Sequence, residues 1–218
     1  MGVSLVIPTL NEAENLRLLM PRIPSSVTET IVVDAYSRDD TVRIAQSHGA
    51  KVVLSGARKG AAIRLGLDAA TQDVVITMDA DCSQAPDELD RYVSGVRDGY
   101  DIVFGSRFLR DGGSEDLTPI RHLGNGFFRF LVNRLWKTGY SDVCYGYMGF
   151  KRSILSVLDL KADGFDIEIE IKIKAAKKRL KILQVPSFEK RRAFGRGKLR
   201  TLRDGWIIFS RILRELWS

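Results

Sequence analysis

The sequence predicts an α/β fold in which a mostly parallel central sheet is flanked by helices on both faces. Through the first 107 residues, short apolar runs rich in Val and Ile alternate with segments whose apolar residues recur at helical spacing. Such an order is typical of parallel strands, because parallel neighbours need a crossover connection that is usually a helix. Acidic residues also follow several of the apolar runs directly. Open α/β sheets bind their ligands at those strand ends.

The first half of the chain contains the clearest elements. The apolar runs predict strands over residues 3–7, 30–33, 51–54, 73–78 and 101–105. Helices are predicted between them over residues 12–20, 40–47 and 59–70. Asp39 and Asp40 suit the start of the second helix, because their side chains can accept hydrogen bonds from free backbone N–H groups. A fourth helix is predicted from Pro86, whose fixed φ suits a first helical turn.

After Arg107 the pattern changes. Residues 110–118 form a polar stretch with two adjacent glycines, which predicts a loop and the best candidate for a mobile segment. The remaining apolar patterns predict a helix over 120–136, a strand over 143–150, a helix over 166–179, a strand over 181–185 and an amphipathic helix over 199–217. No linker divides the chain, so we expect one domain over residues 1–218.

Charge is distributed unevenly along the chain. Of its 218 residues, those from 172 to 218 carry 15 Lys or Arg against 3 Asp or Glu, whereas residues 1–171 carry 19 against 24. The basic part predicts contact with phosphates, an anionic membrane surface or nucleic acid, or simply a solvated face. The acidic residues at the strand ends argue against nucleic acid, because they would repel a phosphate backbone.

Several patterns bear on location. No apolar run approaches the roughly 20 residues needed to cross a bilayer, and the amino terminus lacks the basic stretch of a signal peptide. Cys82 and Cys144 have no metal-ligand spacing, which predicts reduced thiols. We therefore expect a cytoplasmic protein. The segment 199–217 leaves three roles open: a helix on the inner face of a membrane, a helix packed on the core, or the contact of a homodimer.

The most informative motif is Asp79-Ala80-Asp81, which directly follows the β-branched run of residues 74–78. Two carboxylates one residue apart at a strand end can converge on a hard cation. Mg²⁺ in proteins takes one or two carboxylates together with phosphate oxygens and water. A solvated Asp-rich turn is the alternative. Glu12 and Asp34 follow two other predicted strands, so the sheet would gather all four acidic residues on one edge, which favours a site for a nucleoside diphosphate and a metal.

At this point the chain resembles a known family, the family 2 glycosyltransferases of GT-A fold. The similarity is strongest to the branch with dolichol-phosphate mannose synthases and bacterial polyprenyl-phosphate glycosyltransferases. Segments in matching order carry the resemblance: residues 6–15 (VIPTLNEAEN), 31–34 (IVVD), 58–62 (RKGAA), 77–81 (TMDAD), 105–107 (GSR), 164–170 (GFDIEIE), and 185–186 (VP) with 191–192 (RR). Each segment is weak alone, but their order and spacing together are specific.

The resemblance implies a role for each matching residue. Nucleotide-sugar contacts would come from Pro8, Thr9, Glu12, Asp34, Lys59, Asp79 and Ala80. Asp81 would be the principal ligand of a divalent cation, Mg²⁺ or Mn²⁺, with Asp79 sharing it and Ser83 at the third ligand position. The catalytic candidates are Asp81, Arg107, Asp166 and Glu168. Acceptor or phosphate contacts would come from Arg107, Arg191, Arg192 and Lys198.

The resemblance also implies the reaction. Residues 1–107 would bind nucleotide sugar and metal, residues 108–198 would form the acceptor side, and residues 199–218 would form the amphipathic helix. A hexose would pass with inversion from a GDP- or UDP-sugar to an acceptor, and the basic tail favours a lipid phosphate. A hydroxyl acceptor is the alternative; it needs a general base, for which Asp142, Asp166 and Glu168 are candidates. A non-catalytic nucleotide-sugar-binding protein also remains open.

Overall fold

The structure is a computed structural model that describes residues 1–56 and 58–217. Seven strands form one sheet in the order β3-β2-β1-β4-β7-β5-β8. They are β1 (Val3–Thr9), β2 (Glu29–Asp34), β3 (Lys51–Leu54), β4 (Val74–Thr77), β5 (Ile102–Ser106), β7 (Met148–Lys151) and β8 (Ile182–Pro186). Two short strands, β6 (Gly113–Ser114) and β9 (Phe188–Glu189), pair with each other in parallel. The α/β fold with a mostly parallel sheet is confirmed.

Helices lie between the strands as the alternation predicts. They are α1 (Ala13–Leu19), α2 (Thr41–Ser47), α3 (Lys59–Ala69), α4 (Leu89–Arg97), α5 (Pro119–Trp136), α6 (Leu155–Leu158), α7 (Ile167–Lys177) and α8 (Thr201–Arg214). A 3₁₀ turn over Pro86–Glu88 leads into α4, at the proline that marked a helix start. Two apolar clusters sandwich the sheet, one including Val6 and Ile169, the other including Leu5 and Leu16. Adjacent residues of β1 thus pack on opposite faces, as expected for a strand that is buried on both sides.

The strand expected over residues 143–150 is much shorter. Within this segment only the residues of β7 pair in the sheet, and β7 runs antiparallel between β4 and β5. Before it, the carbonyl of Tyr145 accepts a hydrogen bond from Lys172 Nζ at 2.9 Å, and that of Gly146 accepts one from Thr77 Oγ1 at 2.9 Å. These carbonyls therefore bond to side chains instead of a strand. The direction of β7 is not visible in a short apolar pattern, which is the same for parallel and antiparallel neighbours.

The polar stretch 110–118 also differs from the expected loop. It contains β6, which pairs with β9, and Ser114 Oγ donates to Glu189 Oε2 at 2.5 Å. The segment is therefore tied to the chain that follows β8. Sequence patterns miss such two-residue strands because they are too short to show any periodicity.

The carboxyl-terminal helix α8 packs on α5 and α7. Ile208 and Ile212 are buried in the core cluster, and Arg211 binds Asp166 of α7 at 2.9 Å. Of the three roles left open for this segment, packing on the core is therefore present in the structure. Among the described residues, no helix combines the length and the apolar character that crossing a membrane requires.

Candidate functional site

A cavity of about 850 Å³ opens at the carboxyl ends of β1 and β4. The loops after these strands contribute one part of its lining, and α3 and α7 contribute another. The segment 190–200 and the helices α5 and α8 close it on the remaining side. Twelve of the residues predicted for the site line this cavity: Pro8, Thr9, Glu12, Lys59, Asp79, Ala80, Asp81, Arg107, Glu168, Arg191, Arg192 and Lys198. The strand ends thus meet at one edge, as a parallel arrangement requires.

Lys59 lies between two carboxylates in this cavity. Its Nζ is 2.8 Å from an oxygen of Asp79 and 2.9 Å from Oε1 of Glu168. Burial alone would lower the pKa of Lys59, but the attraction of Asp79 and Glu168 outweighs it and raises that pKa above its ordinary value. Lys59 is therefore a permanent cation that links the first Asp of the motif to α7. Sequence analysis proposed all three residues but did not predict their contact.

The position of Lys59 depends on the close approach of α3 to residues 162–164. The N–H of Gly60 donates to the Asp163 carbonyl at 2.9 Å. A side-chain carbon at Gly60 would lie 2.6 Å from the Ala162 carbonyl oxygen and 2.7 Å from that of Gly164, closer than atoms pack. Only glycine lets the start of α3 reach this loop, and the contact sets Lys59 beside α7.

Asp79 and Asp81 differ in their surroundings. Burial raises the pKa of the Asp79 carboxyl against the pull of Lys59, and the nearby charges of Asp81 and Glu168 add to the rise. Asp81 accepts a hydrogen bond from the N–H of Ser83 at 3.0 Å and pairs with Arg192 at 3.1 Å. Each carboxylate of the motif therefore already has a cationic neighbour from a different part of the fold.

Glu12 is the centre of a second group of charges. Its carboxylate binds Nη1 of Arg192 at 2.8 Å, Nζ of Lys198 at 2.9 Å and Nδ2 of Asn15 at 2.6 Å. It is buried, yet it lines the cavity. A nucleoside contact by Glu12 would thus compete with these three protein partners. Asn15, which holds the Glu12 carboxylate, was not predicted as a residue of the site.

Arg107 is surrounded by acidic groups of the protein, whereas a guanidinium free to contact a phosphate was expected. Its Nε lies 2.8 Å from Asp142 and its Nη1 lies 3.0 Å from Glu189. Its Nη2 also donates to the second oxygen of Asp142 at 3.2 Å and to the Cys144 carbonyl at 3.2 Å. Four of its N–H groups are thus occupied by protein. In this arrangement Arg107 holds together the chain segments that form this wall of the cavity. Glu189 shares this role, and it was not predicted because it stands beside a basic run of the sequence.

Three predicted residues lie outside the cavity lining. Asp34 is fully buried and accepts hydrogen bonds from Thr9 Oγ1 at 3.0 Å and from the Ser37 N–H at 2.8 Å. Ser83 is buried, with its N–H bonded to Asp81, and Asp166 is held by Arg211. Asp34, Ser83 and Asp166 are therefore buried beside the cavity and are not part of its lining. The side chains of Asp34 and Asp166 bind protein partners, which a sequence pattern cannot distinguish from a ligand contact.

The side of the cavity made by α5 and α8 has apolar side chains together with the polar ones of Arg121, Asn125, Thr201 and Asp204. Its lining includes Ile120, Phe128, Leu202 and Ile208, together with two glycines, Gly124 and Gly205. Sequence analysis assigned residues 108–198 to an acceptor side but did not identify this wall, because its two helices are about 80 residues apart along the chain. Their meeting places an apolar surface directly beside charged side chains.

The residues present suit a divalent cation whose ligands come partly from the protein and partly from a bound diphosphate and water. Within the described part of the chain, His, Cys, Asp and Glu side chains form no group of three or more able to hold a metal ion. Two carboxylates at a cavity of this size leave the other ligand positions to a diphosphate and water, which is the arrangement that Mg²⁺ favours with phosphate substrates. Asp79 and Asp81 are the residues that would hold the ion.

A family model described as Glycosyl transferase family 2 matches residues 4–158. The chain belongs to glycosyl transferase family 2. Its activity class is glycosyl transfer, and the resemblance drawn from the sequence motifs is confirmed.

Two curated proteins are similar over nearly the whole chain. Dolichol-phosphate mannosyltransferase of Pyrococcus furiosus is 32% identical over 214 residues, covering 92% of this chain and 60% of that protein. Polyprenol monophosphomannose synthase of Mycolicibacterium smegmatis is 32% identical over 215 residues, covering 89% of this chain and 79% of that protein. This glycosyltransferase thus spans less than two thirds of the Pyrococcus furiosus protein.

The fold also matches a solved structure. Glucosyl-3-phosphoglycerate synthase of Mycobacterium tuberculosis, in complex with Mn²⁺, UDP and glucosyl-3-phosphoglycerate, superposes with a TM-score of 0.76 at 23% identity. The match covers 98% of this chain and 79% of that one. It establishes the GT-A fold for this family 2 member.

Proposed function

We propose that this glycosyltransferase is metal-dependent and inverting, and that it moves a hexose from a nucleotide diphosphate sugar to a polyprenyl phosphate. The observation that carries the proposal is the mixed lining of its cavity. Asp79 and Asp81 line one part, and an apolar wall from α5 and α8 lines another, with basic side chains between them. The first part suits a metal-bound diphosphate, and the second suits a lipid with an anionic head. The names of both curated relatives support this acceptor class.

Asp81 would be the main ligand of the divalent cation, Mg²⁺ or Mn²⁺, with Asp79 beside it. When bound, that ion neutralises the charge of the departing nucleoside diphosphate. Lys59 holds Asp79 through a 2.8 Å ion pair and so fixes the carboxylate before the donor arrives. Preorganised charge of this kind is usually the largest contribution to catalysis.

The acceptor side requires positioning more than proton transfer. A phosphate oxygen attacks the anomeric carbon from the face opposite to the diphosphate, the new C–O bond forms as the old one breaks, and the configuration inverts. The attacking oxygen is already anionic, so no general base is needed. Arg191, which is exposed and lines the cavity, is placed to bind that phosphate.

A soluble hydroxyl acceptor is a second candidate, favoured by one observation. Of the three carboxylates considered as general base, Glu168 lines the cavity, whereas Asp142 is engaged by Arg107 and Asp166 by Arg211. A base within reach of a bound hydroxyl would activate it. Because Glu168 pairs with Lys59 at 2.9 Å, we favour a role in orienting the donor sugar instead.

An exposed surface next to the cavity supports a lipid acceptor. We call it the α5/α8 patch, formed by Leu123, Phe127, Phe130, Leu202 and Trp206. Leu202 is 82% exposed and Trp206 69% exposed. Phe209 connects the two helices, with its ring 6.3 Å from Phe127 and 5.8 Å from Trp206. Exposed basic residues adjoin α8 at Arg196, Arg200 and Arg203. Apolar side chains beside basic ones suit the surface of an anionic membrane, and we place the protein on its inner face.

The transfer reaction tests the proposal directly. The purified protein with Mn²⁺ and radiolabelled GDP-mannose or UDP-glucose is offered undecaprenyl phosphate in vesicles, or 3-phosphoglycerate in solution. We expect label to enter the lipid fraction and to be lost with Asp81→Asn. Label only in the soluble acceptor would favour the hydroxyl candidate. Turnover of Asp81→Asn equal to that of the unaltered protein would overturn the metal assignment.

Vesicle sedimentation tests the membrane surface. Trp206→Glu should reduce binding to vesicles that contain anionic lipid, because it places a charge on the apolar patch. The matched control is Val157→Glu, on α6, which is also exposed at 45% but outside the patch. Equal loss in both variants, or none in either, would remove the patch from the proposal.

A further inference from the structure

The segment 190–198, which we call the strap, lies between β9 and α8 and contributes Arg191, Arg192, Gly195, Gly197 and Lys198 to the lining of the cavity. Its backbone is attached to the loop after β4 and to α1. The N–H of Lys190 donates to the Ser83 carbonyl at 2.8 Å, and that of Ala193 donates to the Asp81 carbonyl at 3.1 Å. Phe194 exchanges two hydrogen bonds with the side chain of Asn15, at 3.0 and 3.2 Å. The strap is thus attached directly at the metal motif.

Arg192 of the strap is the positively charged partner of Asp81 in this motif. Its guanidinium bridges two carboxylates, with Nη2 at 3.1 Å from Asp81 and Nη1 at 2.8 Å from Glu12. Lys198 adds a second positive charge at 2.9 Å from Glu12. A cation bound at Asp81 would repel the nearby guanidinium of Arg192, so the two compete for the charge of this carboxylate.

The counter-cation of Asp79 differs from that of Asp81 in how it is held. Lys59 is part of α3, whose start is fixed against residues 162–164 through Gly60. Arg192 belongs to a segment without helix or strand, followed by Gly195 at φ +80° and by Gly197. Lys59 therefore stays with Asp79, whereas Arg192 can leave Asp81. Of the two carboxylates in the motif, Asp81 is the one whose cation is exchangeable.

We infer that Arg192 neutralises Asp81 until the donor binds, competes with the divalent cation for that carboxylate, and then passes to the donor's diphosphate. This inference rests on the proposed function and adds a binding order to it. The metal displaces the guanidinium, and the diphosphate arriving with the metal gives it a new anionic partner. Arg suits this exchange, because its planar fork binds carboxylate and phosphate oxygens equally well in pairs. The metal therefore binds weakly alone and well together with a nucleoside diphosphate.

The experiment measures Mn²⁺ binding without nucleotide, from the signal of free Mn²⁺ in electron paramagnetic resonance. The variant Arg192→Gln should bind Mn²⁺ about three- to tenfold more tightly than the unaltered protein, the size expected for releasing one partly exposed ion pair. Binding of UDP and GDP at saturating Mn²⁺, followed by calorimetry, should weaken in the same variant. Opposite changes in the two affinities are the signature of the exchange, since a merely structural role would weaken both.

Two further variants complete the comparison. Arg191→Gln removes a neighbouring charge that has no ion pair with Asp81 among the described residues, so Mn²⁺ affinity should change less than twofold. Arg192→Lys keeps the positive charge and should leave the affinity for Mn²⁺ alone near that of the unaltered protein. Thermal unfolding of each variant shows that the fold is retained.

The outcomes separate this inference from the proposed function. Arg192→Gln with unchanged or weaker Mn²⁺ binding overturns the inference. If Asp81→Asn then binds no Mn²⁺ while the unaltered protein does, the metal site stands without the exchange. If Asp81→Asn binds Mn²⁺ as the unaltered protein does, the metal assignment itself fails. Should the unaltered protein bind Mn²⁺ too weakly to measure, measurable binding by Arg192→Gln supports the exchange, and its absence overturns it.

Discussion

Arg107 and the strap both line one cavity, yet their ion pairs are built differently. Arg107 and Asp142 have side chains that are 6% and 0% exposed, and Arg107 directly follows the sheet strand β5. Lys198 of the strap is 44% exposed, and Arg192 is 18% exposed. Buried pairs are costly to break, whereas exposed ones contribute little. The comparison indicates that the half of the site around Arg107 is rigid, whereas the charges of the other half, the strap, can change partners. Variants in each half test this difference.

The largest effect on stability is expected at Arg107. Arg107→Met should lower the free energy of unfolding by about 3–5 kcal/mol, because Asp142 would keep a buried charge, and Glu189 a partly buried one, without its partner. Urea denaturation measures it. The matched control is Arg110→Met, an exposed residue three positions on, which should stay within about 0.5 kcal/mol. A similar small change in Arg107→Met would show that this half is not rigidly paired.

The next effect is on catalysis. Asp81→Asn should lower the transfer rate by about 10²–10³-fold, the range seen when one preorganised electrostatic group is lost, and should leave the unfolding midpoint nearly unchanged. Initial rates with each labelled donor measure it. Asp87→Asn, at an exposed carboxylate six residues further on, is the control and should retain normal rates. Normal rates in both would exclude Asp81 from the reaction.

Acid should weaken the ion pair between Arg107 and Asp142. Burial by itself would raise the pKa of Asp142, but the Arg107 guanidinium beside it outweighs this and holds the pKa below its ordinary value of 3.8. A lowered pKa in the folded protein stabilises it fully above the ordinary value and progressively less as the pH falls through the folded value. Urea denaturation from pH 6 to pH 3 should therefore show a loss of stability that is smaller in Asp142→Asn. Parallel curves for the two proteins would contradict this assignment.

The smallest effect is expected in the strap. Lys198→Ala should cost at most about 1 kcal/mol in the free energy of unfolding, because the Lys198 side chain is 44% exposed and Arg192 remains on the Glu12 carboxylate. Thermal unfolding measures it against Lys190→Ala, whose exposed side chain belongs to the same segment. A loss as large as that of Arg107→Met would erase the difference between the two halves.

Many residues of the cavity lining follow from the sequence. The Asp79-Ala80-Asp81 motif, Glu12 and Lys59 were proposed from strand ends and motif order, and all of them line the cavity. Sequence analysis also proposed Asp34, which the structure buries under Thr9 and Ser37. A carboxylate at a strand end looks the same whether it turns to a ligand or to the chain beside it, so its partners decide the difference.

Sequence by itself determined the strands, their parallel order in the first half, and the acidic edge where they end. Those properties depend on local patterns: β-branched runs, helical spacing and the residues that stop them. Only the tertiary structure decided that β7 runs antiparallel, that α5 meets α8 along an apolar wall, and that Arg192 reaches Asp81. These contacts join residues far apart along the chain, and their formation depends on how the packed core positions each segment. The residues of a segment do not by themselves reveal where the core will place that segment.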